Sequence, residues 1–238
     1  MIEVRPFDTL GAADHGWLKA KHHFSFARYV DRGRMNHGSL RVWNDDEIAP
    51  NTGFPPHPHA EMEIITYVRQ GAITHEDNLG NRGRTEAGDV QVMSAGSGIR
   101  HAEYNKEDEP ATLFQIWIEP NSRDGETSDL QRPYWGRKPF PRENRAGAFV
   151  VLASGFEGDG EALPIRAQAR VLGATLKAGE ITEYRLGTRR YAYLVSAKGD
   201  IEVNGIAVNA RDGVALTHET VLVVKALEDA EIVLVDAP

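Results

Sequence analysis

Two short stretches of this chain hold residue types whose spacing can bind a metal ion. His57 and His59 flank Pro58, and His101 and Glu103 flank Ala102. In an extended strand, residues two apart share a face. Each pair therefore aims two donor groups at one point. Facing each other, the pairs offer three imidazole nitrogens and one carboxylate oxygen. An octahedral ion held this way keeps open positions for water, a substrate oxygen or dioxygen. Such a set suits iron, manganese, nickel or copper better than a closed structural zinc site. The chain has no cysteine, which excludes disulfides and thiolate ligands. A lone His-x-His is common on ordinary surfaces, and nine histidines make chance spacing easy. The second pair, with turn glycines between the two, is what carries the metal reading.

Other residues are weaker candidates. If alternation continues past His59, Glu61 and Glu63 share its face. Glu63 is then a reserve base, or a partner that holds a histidine tautomer. His75 reads first as a hydrogen-bonded core histidine, with the pocket as its alternative. His22 and His23 read as packing or lobe contacts, and Arg100 as a surface cation pointing away from the metal. Phe54, Met93 and Phe114 are candidates for an apolar pocket around a flat aromatic ligand, with ordinary core as the plainer reading.

The elements that position these groups are short strands. Gly and Pro punctuate the chain, and between them lie runs rich in Val, Ile, Tyr and Thr. Ile64–Val68, Val90–Met93, Leu113–Ile118, Tyr191–Val195, Val221–Val224 and Ile232–Val235 are examples. Many short strands at such spacing indicate a sandwich or small barrel. Asn204-Gly205, between two apolar triplets, is a two-residue hairpin signal. From Ser122 to Arg145 the chain is charged and holds Pro133, Pro139 and Pro141, so it reads as a connector with room for a helical turn. The pattern from Tyr67 to Val90 recurs faintly from Tyr193 to Val214, as a weak internal repeat.

The bulk numbers agree. A chain of 238 residues, 41% hydrophobic and 26% charged, fits one large or two ordinary globular domains. A net charge of -8 argues against a general nucleic-acid binder, which needs a basic face. The N-terminus has no apolar signal region, and no apolar run approaches the ~20 residues of a membrane helix. A cytoplasmic protein without membrane attachment is expected.

The motifs resemble the cupin superfamily: Gly53, His57-Pro58-His59, Glu63 and Gly71, then Gly88, Ser94-Ala95-Gly96 and His101. More narrowly, the chain resembles the pirin group of tandem cupins. The marks are His22-His23-Phe24-Ser25-Phe26, Leu40 to Asp46, Thr74-His75-Glu76-Asp77 and Ser94 to Asn105. Ser94 stands where most cupins have Pro, as in the pirin-like variant.

The resemblance implies an all-β fold of two tandem cupin (jelly-roll β-barrel) domains. The N-terminal metal-binding domain is placed at residues 1–130, with a linker to about 145, and a C-terminal cupin-like domain at 146–238. It implies one divalent ion held by His57, His59, His101 and Glu103, with Glu63 outside the ligand set. Iron is the leading candidate; nickel, copper, manganese, cobalt and zinc are alternatives. The implied activity is that of quercetin 2,3-dioxygenases, which open a flavonol ring with dioxygen and release carbon monoxide. Glu103 is the candidate base. The rival readings are a metal-binding regulator that docks an unidentified protein, and a cupin oxygenase acting on another phenolic. In the second half the His-x-His slot falls near Glu183-Tyr184-Arg185, and His218 is the only histidine after His101. One imidazole cannot build such a site, so the second barrel is expected to be metal-free.

Overall fold

The computed structural model describes residues 1–121 and 132–238. The boundary expected near residue 130 lies outside the described residues. The chain folds as two cupin domains, each pairing a four-stranded with a seven-stranded sheet.

In the N-terminal barrel the small sheet contains Thr52–His59, Ile99–Asn105, Ala72–Asp77 and Arg82–Glu86, in that order. The large sheet has Glu63–Gln70 between Val90–Ser94 and Ala111–Ile118. These central strands read as largely apolar because both of their faces are covered. Leu113 packs inside the barrel, whereas Phe114, Ile116 and Ile118 pack outward into a shared core. That core also takes Leu152, Val171, Tyr193 and Val233 from the second lobe. The two large sheets thus stack across one apolar layer, which dominates the stability of the pair.

The faint repeat is a repeat of topology. In the second small sheet, Ile181–Arg185 takes the place of Thr52–His59, and Val221–Ala226 that of Ile99–Asn105. Ile201–Val203 and Ile206–Val208 form the expected hairpin, with Asn204 and Gly205 both at positive φ, as a tight two-residue turn demands.

Each large sheet is completed by a strand from outside its own barrel segment. Ile2–Arg5, from the first residues of the chain, pairs with Gly213–Thr217 of the second lobe. Tyr134–Lys138, from the stretch expected to be a connector, pairs with Val90–Ser94 of the first. Among the described residues of that stretch, Arg142–Arg145 is a helical turn. The strand forms because Tyr134 and Trp135 supply aromatic surface to an open sheet edge. A division at fixed residues therefore follows the chain order but not the strand pairing.

Buried polar groups cross the lobe interface. Arg145 is fully buried and donates to the Tyr67 hydroxyl at 3.0 Å, while that hydroxyl donates to Glu231. His23, also fully buried, faces the Tyr193 hydroxyl at 2.9 Å. No helix among the described residues is long and apolar enough to cross a membrane.

Candidate metal centre

Thr52–His59 and Ile99–Asn105 pair antiparallel, with His57 opposite His101 and His59 opposite Ile99. Alternation turns all three imidazoles inward. Ring centroids lie 4.8 Å apart for His57 and His59, 4.5 Å for His57 and His101, and 5.1 Å for His59 and His101. One ligand atom of each lies within 4.8 Å of the others. The register then slips: His101 faces His57, but Glu103 faces Phe54, so the first strand carries one extra residue there. Pro55 and Pro56 occupy the slip, where neither has an N–H for a ladder. Gly53 permits the close approach beyond it, since a Cβ there would lie 2.2 Å from the Glu103 carbonyl oxygen.

The donors fit a divalent cation. His57 Nδ1 lies 2.8 Å from the Pro55 carbonyl, which only accepts, so that nitrogen donates and Nε2 keeps its lone pair. His57 Nε2 and His101 Nε2 stand 3.1 Å apart. Burial, and then the charges of His57 and His75, lower the pKa of His101 to about 3. Burial, and then His101 and His57, lower that of His59 to about 4. Both rings are therefore neutral at physiological pH, as ligation requires.

Glu103 is buried behind His101. Its Oε1 accepts from Gln91 Nε2 at 2.6 Å and from Thr66 Oγ1 at 3.4 Å, and its Oε2 accepts from Gln115 Nε2 at 2.9 Å. The three donors form one rung of the large sheet, with Gln91 opposite Thr66 and Thr66 opposite Gln115. Burial raises the Glu103 pKa, opposed by the charges of His75 and His57 and by donation from Thr66 and Gln115. With one donor on Oε2, a lone pair remains there for an ion. A ligand atom of Glu103 groups within 4.8 Å with those of His101 and His75, while His57 and His59 group with His101. His101 is thus the residue common to both halves of the cluster. Sequence reasoning missed the glutamines and Thr66. The signal was present: each is a polar residue with an apolar or aromatic neighbour on both sides.

His75 is fully buried, with Nε2 3.0 Å from Asp77 Oδ2 and Nδ1 3.3 Å from His101 Nδ1. Its ring stacks on Trp135 at 4.7 Å and 8°. Glu63 does not share the face of His59. Glu61 has a φ of 49°, which turns the chain and ends the alternation. Glu63 then begins a strand of the large sheet, on the same side as Ile65 and Tyr67, and accepts from Ser94 Oγ at 2.7 Å. Phe54 is near His57, with centroids 6.1 Å apart. Met93 joins the apolar cluster of Ile64, Ala95 and Ile99, which packs against Trp117 and Trp135. Phe114 faces the other lobe, 5.3 Å from Trp43, and belongs to the core between the lobes rather than to a pocket. Trp117, unnoticed in the sequence, sets its indole edge-on to His59 at 5.0 Å. Arg100 is exposed, and His22 bonds Asn44 at 2.8 Å.

Residues 3–118 match the pirin family and residues 151–237 the quercetinase C-terminal cupin domain. A pirin-like protein of Caulobacter vibrioides is 69% identical over 100% of both chains. The chain belongs to the pirin family. A quercetin 2,3-dioxygenase of Escherichia coli K12 is 37% identical over 100% of this chain and 99% of its own. The bacterial pirin YhhW of Escherichia coli, solved in complex with nickel(II), superposes with a TM-score of 0.90 at 36% identity, covering 100% of this chain and 99% of that one. In this pirin-family chain the second barrel is filled by Leu172, Leu194, Ile201, Leu222 and Val224. The strands corresponding to the histidine pairs, Ile181–Arg185 and Val221–Ala226, hold no histidine.

Proposed function

We propose that this chain is a metal-dependent dioxygenase of the quercetin 2,3-dioxygenase kind, opening a flavonol ring with dioxygen and releasing carbon monoxide. The observation that carries the reading is the convergence of His57, His59 and His101, with Glu103 behind them, beside an open cavity of about 470 Å³. His59, Pro58, Asn78, Ile99 and Arg100 line that cavity. The name of the Escherichia coli relative and the nickel(II) bound by its solved pirin support the same reading.

His57, His59, His101 and Glu103 would hold the ion, with iron proposed first among divalent metals. When bound, the ion supplies a Lewis acid for a substrate oxygen. The chain's own groups do the rest. Glu103 is the proposed base: its Oε2 would take the enolic proton of the flavonol in place of ligation, and burial raises the pKa of this carboxyl. Gln91 and Gln115 keep that carboxylate from rotating away. Phe54 and Trp117 flank the histidines and offer apolar surface to a flat aromatic ring. The second barrel holds no metal on this reading and buttresses the first, and the protein works in the cytoplasm.

The test is dioxygen uptake and carbon monoxide release with quercetin, using protein loaded in turn with iron(II), nickel(II), copper(II), manganese(II) and cobalt(II). Turnover with at least one metal, lost in His57→Ala, is the expected result. No uptake with any metal at full occupancy would end the proposal.

A further inference from the structure

One carboxylate near the candidate centre reaches it only through other rings. Asp77 ends the strand Ala72–Asp77, and its two oxygens are fully engaged. Oδ1 accepts the backbone N–H of Leu79 at 2.9 Å and of Asn81 at 3.0 Å. Oδ2 accepts the Asn81 amide at 2.9 Å and faces His75 Nε2 at 3.0 Å. Burial acts to raise its pKa, but hydrogen bonds from His75 and Asn81 outweigh this and leave it below the ordinary value. The group is therefore an ionised acceptor, and His75 Nε2 must donate to it.

We propose that Asp77 and His75 are positioning residues that fix the tautomer of His101, so that its bare Nε2 faces the metal site, and that Trp135 holds them in line. This rests on reading His101 as a ligand. The direction of each bond follows from the one before. His75 donates from Nε2, and with that single ring hydrogen it has only a lone pair at Nδ1. His101 Nδ1, 3.3 Å away, must then carry the hydrogen and donate. The other His101 nitrogen, Nε2, is left without one. It points at His57 Nε2, which the Pro55 carbonyl has already stripped of its hydrogen by occupying Nδ1–H. Two bare nitrogens 3.1 Å apart repel unless a cation lies between them. The second carboxylate in this way prepares a cation site that it does not touch, as outer partners of ligating histidines do elsewhere.

The alignment depends on a strand from outside the barrel segment. Trp135 comes from Tyr134–Lys138 and stacks on the His75 ring, with 8° between the two planes. Gly83, the register partner of His75, leaves the space that the indole fills.

Asp77→Asn tests the direction of the chain. Two backbone N–H groups hold the remaining oxygen at the Oδ1 position, so the new amide nitrogen faces His75, and the Asn81 side-chain amide turns to accept from it. His75 must then accept at Nε2 and donate from Nδ1, and His101 must carry its hydrogen on Nε2, the wrong nitrogen for ligation. Nickel(II) would be titrated into metal-free wild type, Asp77→Asn, His75→Phe, the double variant and His57→Ala, against a competing chelator. Nitrogen-15 NMR of the metal-free imidazoles would report which His101 nitrogen bears hydrogen.

The expected result is an affinity loss of about 10- to 100-fold in Asp77→Asn, with the His101 hydrogen moved from Nδ1 to Nε2. The double variant should bind no worse than His75→Phe, because Asp77 acts only through His75. Wild-type affinity in Asp77→Asn, an equal further loss in the Phe background, or an Nε2 hydrogen on wild-type His101 would each overturn the proposal. If Asp77→Asn does not fold, His75→Phe decides. It keeps the ring against Trp135, so a loss of nickel(II) at unchanged Tm supports the relay and an undiminished affinity refutes it. Failure of the metal-centre reading looks different: His57→Ala would retain nickel(II), while the NMR measurement would still decide the relay.

Discussion

Trp135 occupies the space a side chain at Gly83 would need: a Cβ there would lie 2.3 Å from the indole Cη2. The contact joins a strand of the small sheet to a strand supplied from beyond residue 131, directly over His75. Gly83→Ala is tolerable for the backbone, whose φ is outside the left-handed region. It should still push the indole off His75. Overpacking of this kind costs about 1–3 kcal/mol. Thermal unfolding of the metal-free protein and tryptophan fluorescence would measure it, and an unchanged spectrum with unchanged Tm would contradict the contact.

His57→Ala and His101→Ala should each empty the site while the barrel stays folded, since the apolar layer between the lobes does not involve either ring. His218→Ala should leave occupancy as it is. Elemental analysis after gentle purification reads all three. Full occupancy in either of the first two, or a loss in the third, would mean the ligands lie elsewhere.

Glu63→Gln should alter neither nickel(II) affinity nor flavonol turnover. The carboxyl faces Ser94 rather than the histidines, and an amide keeps that hydrogen bond. A tenfold loss in either measurement would show that Glu63 reaches the site.

Gln115→Leu removes the donor to Glu103 Oε2. A hydrogen bond to a charged group contributes about 1.5–3 kcal/mol. The Trp117 indole N–H loses its acceptor as well, so the metal-free protein should lose stability on at least this scale by urea unfolding. Unchanged stability would show that Gln115 does not anchor the carboxyl.

Asp46 supplies a pH dependence. It is buried, one of its oxygens has no partner, and burial, followed by the charges of Asp45 and Glu103, pushes its pKa well up. A carboxyl with a raised folded-state pKa holds its proton in the native state after the unfolded chain has released it. Its contribution is therefore intact below the unfolded value of 3.8 and is lost as pH rises towards the folded value. Asp46→Asn removes that penalty. In the metal-free protein, the Tm of Asp46→Asn should gain on wild type between pH 4 and pH 7. A gap that stays constant or shrinks over that range would show that Asp46 is already ionised in the folded state.

How much of this was legible depends on distance along the chain. Period-two alternation is local, so the inward turn of His57 with His59 could be read from spacing alone. Short β-rich runs between glycines sufficed for the all-β class, and Asn204-Gly205 for one hairpin. The same local rule failed at Glu63, because Glu61 adopts a positive φ and the strand after it belongs to another sheet. It also left Phe114 open between pocket and core, since a strand buried on both faces gives no sign of which side meets the ligand.

The sequence by itself determined the donor types, their pairing at two-residue spacing and the kind of strand that carries them, because these follow from covalent order and backbone pleat. Only the tertiary structure decided register and company. It aligned Gln91, Thr66 and Gln115 into one rung beneath Glu103, set Asp77 and His75 behind His101, and brought Trp135 across to cover them. Such neighbours come from strands far apart in the chain. Which strands pair, and in what register, is fixed by burying apolar faces against one another, a global free-energy balance that no short window of residues contains.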